Sequence, residues 1–181
     1  MQKSLLAFAT IAALGLSAQA TPLDPAKSSV KFVFTQMNVP VEGQFKKLAG
    51  DVSFDAAKPE AGKASLTVDL GGADAGSSDA NQALVSAEFF DVAHFPKASF
   101  TATQFKALGG GKYQVTGQFS LKGRSAPISI PFTARPDGSG QWLEGAFPLS
   151  RLGWKIGTGE WADVGSVADA VQVKFKLFVP K

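Results

Sequence analysis

Short segments in which every second residue is apolar recur along this chain, and they restrict its fold more than any other feature. Val30, Phe32 and Phe34 form one such row, and Leu66, Val68 and Leu70 another. Ala98, Phe100 and Ala102 follow, then Tyr113, Val115, Gly117, Phe119 and Leu121. Ile128, Ile130 and Phe132, and finally Val171, Val173, Phe175 and Leu177, complete the set. Less regular candidates cover 41–46, 50–55 and 141–149. A strand sends successive side chains to opposite faces, so period two means one apolar and one wet face. Such strands belong to antiparallel sheets. Turn chemistry separates them at Lys58-Pro59, Gly109-Gly110-Gly111 and Pro136-Asp137-Gly138-Ser139-Gly140. Eight or nine one-sided strands with little helix must hide their apolar faces in a sandwich or a closed barrel.

Gly43, Gly117 and Gly145 fall inside strand candidates. Interior glycines are expected to mark bulges or tight bends, which a curved sheet needs in order to close. The expectation is therefore an all-β antiparallel barrel of about eight strands. One segment departs from the alternation. Asp79 as N-cap, with Gln82 three residues on, predicts one short helix over about Asp79 to Ala87.

The first twenty residues read as a secretory signal peptide: Lys3, an apolar run from Leu5 to Leu16, and Ala18-Gln19-Ala20 as a small-x-small cleavage site. The run is shorter than the roughly 20 apolar residues of a membrane span. The expected organisation is a signal peptide over residues 1–20 and one domain over 21–181, delivered to the periplasm or secreted. Cleavage after Ala20 would take 20 of the 181 residues and leave 161, the size of one domain. The net charge is +3, and loss of Lys3 would lower it to +2. So weak and scattered an excess argues against nucleic acid as a partner.

The chain has no cysteine and one histidine. Thiol chemistry, a Cys-ligated metal and a multi-histidine site are excluded on composition. No metal and no covalent cofactor are expected, and no catalytic residue is assigned.

The histidine, His94, lies in Ser86–Phe100, among Phe89, Phe90, Phe95 and Phe100 and beside Glu88 and Asp91. A hydrolase or isomerase built on His94 with Glu88 or Asp91 is one alternative, since imidazole suits acid–base work near neutral pH. No G-x-S-x-G elbow accompanies it. The simpler reading is an aromatic plug at one end of the barrel. Glu160 and Asp163 around Trp161 read as a polar rim, and Gly157-Thr158-Gly159 lacks the strand–loop–helix setting of a phosphate loop.

What remains is apolar volume. The inward set includes Phe32, Phe34, Phe54, Val68, Phe100, Phe119, Phe132 and Phe175. A barrel of eight strands is either filled by its own side chains or holds one small ligand. The filled form, a dry barrel acting through its surface on another protein, is the other alternative.

The order of motifs resembles the YceI-like family. Gly43-Gln44-Phe45 and Gly50-Asp51-Val52-Ser53-Phe54-Asp55 look like its paired early strands. Phe89-Phe90-Asp91, Phe95-Pro96 and Phe100 look like its aromatic signature, and Tyr113-Gln114-Val115-Thr116-Gly117 through Leu121-Lys122-Gly123 and Pro127 like its hairpin. The resemblance runs over almost all of 27–180. It implies a lipocalin-like barrel that holds an isoprenoid or similar small amphiphilic lipid, for transport or storage outside the cytoplasm, and not a shared catalytic reaction. On this reading Phe32, Phe34, Phe100, Phe119, Phe132 and Phe175 form the wall for the tail, with Trp154 at a mouth. Arg151, then Arg124, would meet the headgroup, because guanidinium matches phosphate or carboxylate oxygens two at a time. The chain departs from the family at Ala80-Asn81-Gln82-Ala83-Leu84, where a basic residue and a histidine are common. It departs again at Arg151-Leu152-Gly153-Trp154-Lys155, where an acid is missing.

Overall fold

The computed structural model describes residues 20–181, and the expected signal peptide lies outside them apart from Ala20. Eleven strands build one antiparallel sheet. They are β1 (Thr21–Pro22), β2 (Ser29–Gln36), β3 (Val39–Phe45), β4 (Leu48–Ser53), β5 (Lys63–Asp69), β6 (Ala73–Asp74), β7 (Lys97–Gly109), β8 (Lys112–Leu121), β9 (Arg124–Asp137), β10 (Gly140–Ser150) and β11 (Ala170–Pro180), with one helix, α1 (Ser78–Val85), between β6 and β7. Neighbours run β1-β4-β5-β7-β8-β9-β10-β11-β2-β3-β6.

That order closes on itself. Only Lys46 and Lys47 separate β3 from β4, so the two are halves of one bent strand. β5 and β6, parted by a 3-10 turn at Leu70–Gly72, run antiparallel to it. Leu48 faces Val68, and Phe45 faces Ala73. Between these pairs the Asp69 amide donates to the Lys47 carbonyl at 3.1 Å and the Lys46 amide to the Gly72 carbonyl at 3.0 Å. Counting each bent pair as one stave and setting aside the two-residue β1, the barrel has eight staves, and β2 pairs on both its sides. Two open-edged sheets, the sandwich alternative, are not what forms.

Pairing is uneven around the ring. β9 and β10 are joined only from Asp137↔Gly140 to Phe132↔Gly145. Beyond Phe132, β9 continues with Pro131 and Pro127, and β10 with Pro148. The β8–β9 ladder passes through both β9 prolines unbroken, so the amides they lack are those that would have faced β10. Arg124 Nη1 donates to the Gly153 carbonyl, and Trp154 sets its ring edge-on to Phe119 at 5.0 Å.

Of the three strand-interior glycines, Gly117 stands opposite a bulge: it pairs with Ala102, and the register shifts between Ala102 and Gln104 of β7. No register shift falls at Gly43 or Gly145. Each of the three also receives a phenylalanine ring from a neighbouring strand: Phe32 on Gly43, Phe100 on Gly117, and Phe175 on Gly145. A Cβ at Gly43 would fall inside the contact distance of Phe32, and one at Gly145 would lie 2.6 Å from the Phe175 Cζ. The helix cap also differs from expectation. Ser77, not Asp79, is the N-cap: its extended backbone aims Oγ at the Ala80 amide, 3.2 Å away. Asp79 lies instead in the first turn, where a carboxylate complements the helix dipole.

One end of the barrel is solid. Phe54 packs on Tyr113 at 4.9 Å and Phe132 at 5.1 Å, and Phe105 lies 5.6 Å from Phe54. The other end lies under α1 and the loop at 151–169.

Gly117→Val, which drives a branched side chain into the Phe100 ring and the Thr101 carbonyl, is expected to cost about 1–3 kcal/mol in urea denaturation. Gly138→Ala, at a position with open space around it, should stay within about 0.5 kcal/mol of the parent.

Candidate ligand cavity

Because the rings that could fill the barrel lie back on glycines, space is left along its axis. It takes the form of two lobes. The larger, about 510 Å³, lies under α1. The smaller, about 120 Å³, reaches toward the solid end and has no charged residue on its wall. Val30, Val68, Ala98, Phe119, Phe147 and Val173 line both lobes, so the two adjoin across a shared wall that includes Phe119. Gln36, Ser77 and Asp79, all exposed, line the larger lobe at its outer end and mark the mouth. Together the lobes fall in the range of about 300–1,000 Å³ usual for small-molecule sites.

The expected wall residues divide between the lobes. Phe32 and Phe34 line the larger one, Phe100, Phe132 and Phe175 the smaller, and Phe119 both. Trp154 and Arg124 line neither: Arg124 is bonded to the Gly153 carbonyl, and Trp154 packs edge-on to Phe119. The tryptophan on the cavity wall is Trp161, stacked edge-on to Phe89 at 5.4 Å. Sequence reasoning placed Trp161 on a polar rim. It also passed over Phe147 on β10 and Phe89 and Phe90 as wall residues. Phe147 sits in the Gly145–Leu149 alternation and was within reach of the period-two signal.

Arg151 does line the larger lobe, but its guanidinium is already engaged. The residue is 2% exposed. Nε donates to the Ala168 carbonyl at 3.1 Å, Nη1 to the carbonyls of Ile156 at 3.1 Å and Gly157 at 2.9 Å, and Nη2 to that of Val167 at 2.6 Å. Four of its five N–H groups thus hold two stretches of the loop at 151–169 together. Burial pulls the guanidinium below its ordinary pKa, opposed by Asp169 and Asp163. Those two carboxyls are held below their own usual values, Asp169 by the Leu152 amide and Ser150 hydroxyl, Asp163 by Ser166 and the Gly165 amide. The Glu88 carbonyl ties the same loop to the segment after α1, accepting from the Gly157 amide at 2.8 Å and the Thr158 amide at 3.1 Å. The mouth is therefore framed by backbone carbonyls gathered on one cation.

The α1 side of the mouth has its own tether. Asp74 on β6 pairs with Lys46 at 3.0 Å and accepts from the Asn81 amide group at 3.1 Å, while Asn81 Oδ1 accepts from the Ala75 amide at 2.7 Å. The Lys46 hydrogen bond, with the Gly76 amide and Asn81, lowers the Asp74 pKa from 3.8 to about 2.

His94 stands apart from all this. Its side chain is 75% exposed, its Nδ1 contacts Asp91 Oδ1 at 2.8 Å, and neither it, Glu88 nor Asp91 is on the cavity wall. The segment around it is a cap: Phe90 is buried, 5.8 Å from Phe45.

An antiparallel barrel with one short helix and an apolar lumen under that helix is a lipocalin-like architecture. The model of the YceI-like domain matches residues 22–179, and the chain belongs to that family. Burkholderia cenocepacia BcnA, a solved structure, is 40% identical, with a TM-score of 0.85 over 87% of this chain and 99% of that one. A domain from Saccharophagus degradans, described as a polyisoprenoid binding domain implicated in plant cell wall breakdown, superposes with a TM-score of 0.71 over 90% of this chain and 99% of that one at 19% identity, a likeness of fold. A UPF0312 protein of Shewanella baltica is 31% identical over 118 residues, 65% of this chain and 62% of the relative. The chain thus spans about half to three fifths of the length of the curated relatives it matches.

Arg151→Met should strand four loop carbonyls in a buried setting. The expected loss is about 3–5 kcal/mol by urea denaturation, with Arg151→Lys failing to restore it because an ammonium lacks the fork geometry. Acid should act through Asp74. Its folded pKa is depressed, so its contribution is present above pH 3.8 and is lost as pH falls toward about 2. Asp74→Asn is expected to remove that part of the stability loss between about pH 4 and 2, read from urea midpoints at the two pH values.

Proposed function

We propose that this protein is an exported carrier that holds one isoprenoid or similar long-tailed amphiphile in its barrel, for transport or storage. The observation that carries the reading is the two-lobed lumen: two adjoining apolar lobes that share Phe119 on their wall, the inner one lined by Phe105 and Phe132. Such a shape suits a tail inserted end-on with its head at the α1 mouth. Each buried methylene contributes about 0.8 kcal/mol, so a tail of ten or more carbons supplies affinity without charged contacts. The polyisoprenoid-binding description of the Saccharophagus degradans domain, which shares this fold, supports this class of ligand. Export rests on the signal-peptide pattern of residues 1–20. The cavity takes the place of a catalytic site in this reading, and His94, outside it, has no part in binding.

The test is native mass spectrometry of protein purified without detergent, followed by titration with geranylgeraniol against a fluorescent apolar probe. A one-to-one adduct or saturable displacement is expected. Phe119→Asp, which places a carboxylate on the shared wall, should abolish it while circular dichroism stays that of a folded barrel. His94→Ala should leave affinity unchanged. Loss of binding in His94→Ala with Phe119→Asp unaffected would sink the carrier reading.

A further inference from the structure

The walls of the two lobes carry only two charged residues, Arg151 and Asp79. They are not equally free. Arg151 spends four of its five N–H groups on loop carbonyls, which leaves one. Arginine grips a phosphate through two parallel hydrogen bonds, and that fork is no longer available. The N-terminus of α1, the other positive feature at the mouth, is partly taken up by its own cap. Ser77 Oγ occupies the Ala80 amide at 3.2 Å, and Asp79 sets a carboxylate in the first turn. The nearby cation Lys46 is paired to Asp74 at 3.0 Å. Asp79, by contrast, is exposed and its carboxylate has no hydrogen-bond or ion-pair partner among the described residues, and it stands on the cavity wall with Ser77 and Gln36. A head arriving there meets a hydrogen-bond acceptor of negative charge, flanked by a hydroxyl and an amide.

We propose, resting on the carrier reading above, that the mouth selects amphiphiles with an uncharged, hydrogen-donating head, a prenyl alcohol, and rejects the corresponding phosphate esters, with Asp79 as the selecting residue. A hydroxyl donates to the Asp79 carboxylate. A phosphate or diphosphate places two or more negative charges against it with no free cation on the wall, and juxtaposed like charges at a binding surface cost several-fold to many-fold in affinity.

The test uses the detergent-free protein and three probes with the same fifteen-carbon tail: farnesol, farnesyl phosphate and farnesyl diphosphate. Each is titrated below its micelle concentration by displacement of one fluorescent apolar probe at neutral pH. Farnesol is expected to bind at least about tenfold more tightly than either ester. Asp79→Asn should narrow that gap, and Asp79→Lys should close or invert it, both with the circular dichroism of the parent. Diphosphate binding as tightly as the alcohol would overturn the proposal while leaving the carrier reading intact. A gap unchanged in both Asp79 variants would overturn the assignment to Asp79. Displacement by none of the three would remove the carrier reading itself, and this inference with it.

Discussion

A phenylalanine ring laid on a glycine of the adjoining strand is the contact on which the lumen depends. A barrel of eight staves is only just wide enough to be filled by its own side chains. This chain has fifteen phenylalanines, more than enough to fill it. Three of the inward ones, Phe32, Phe100 and Phe175, lie over Gly43, Gly117 and Gly145 and so hug the wall. The glycines act by absence of volume, not by unusual backbone. The outcome is a wall that is aromatic and stiff, with the space along the axis left over.

The two ends of the barrel are closed by different physics. At the blind end the closure is apolar: Phe54, Phe105, Tyr113 and Phe132 interlock at centroid separations of 4.9–6.0 Å. Such a cluster is non-directional and holds without a polar network. At the mouth the loop at 151–169 is too polar in its backbone to pack that way. Its carbonyls need donors once they are removed from water, and Arg151 supplies four in one planar group. The cation is thus a fastening of the mouth and is used up in that role. This is why the charged residue nearest the lumen is a poor grip for an anion.

Much of the architecture was legible in the alternation, because strand faces are a local property and the turn residues between them are local too. The strands from Val30, Leu66, Ala98, Tyr113, Ile128 and Val171 all formed, as did one short helix. What was hidden depended on partners that carry no letter of their own. The Arg151 acceptors are main-chain carbonyls, invisible in a sequence, so a buried clamp read as a headgroup ligand. Gly43 and Gly145 read as bulges or bends because the ring that each accepts comes from another strand, whereas Gly117 does stand opposite a bulge. Trp154 and Trp161 are seven positions apart in one irregular loop. Only the closed ring decides that the first packs on Phe119 without lining the lumen while the second lines it. Ser77 outcompeted Asp79 as the helix cap through a backbone conformation that residue type alone does not specify.

Stability and occupancy are coupled by the same geometry. Side chains such as Phe119, Phe147 and Val173 turn one flank to protein and the other to the lumen, so on that flank they lack protein contacts. Dispersion is gained contact by contact and is lost across a gap of even an ångström, which leaves the wall less stabilised than a solid core of equal composition. A tail seated in the lumen restores those contacts, and whatever binds only the folded state adds to its stability by mass action. The solid aromatic end then has a second use. It anchors the fold independently of what lies in the lumen, so that β7, β8 and β9 remain a firm frame against which the mouth and its Arg151 fastening are built.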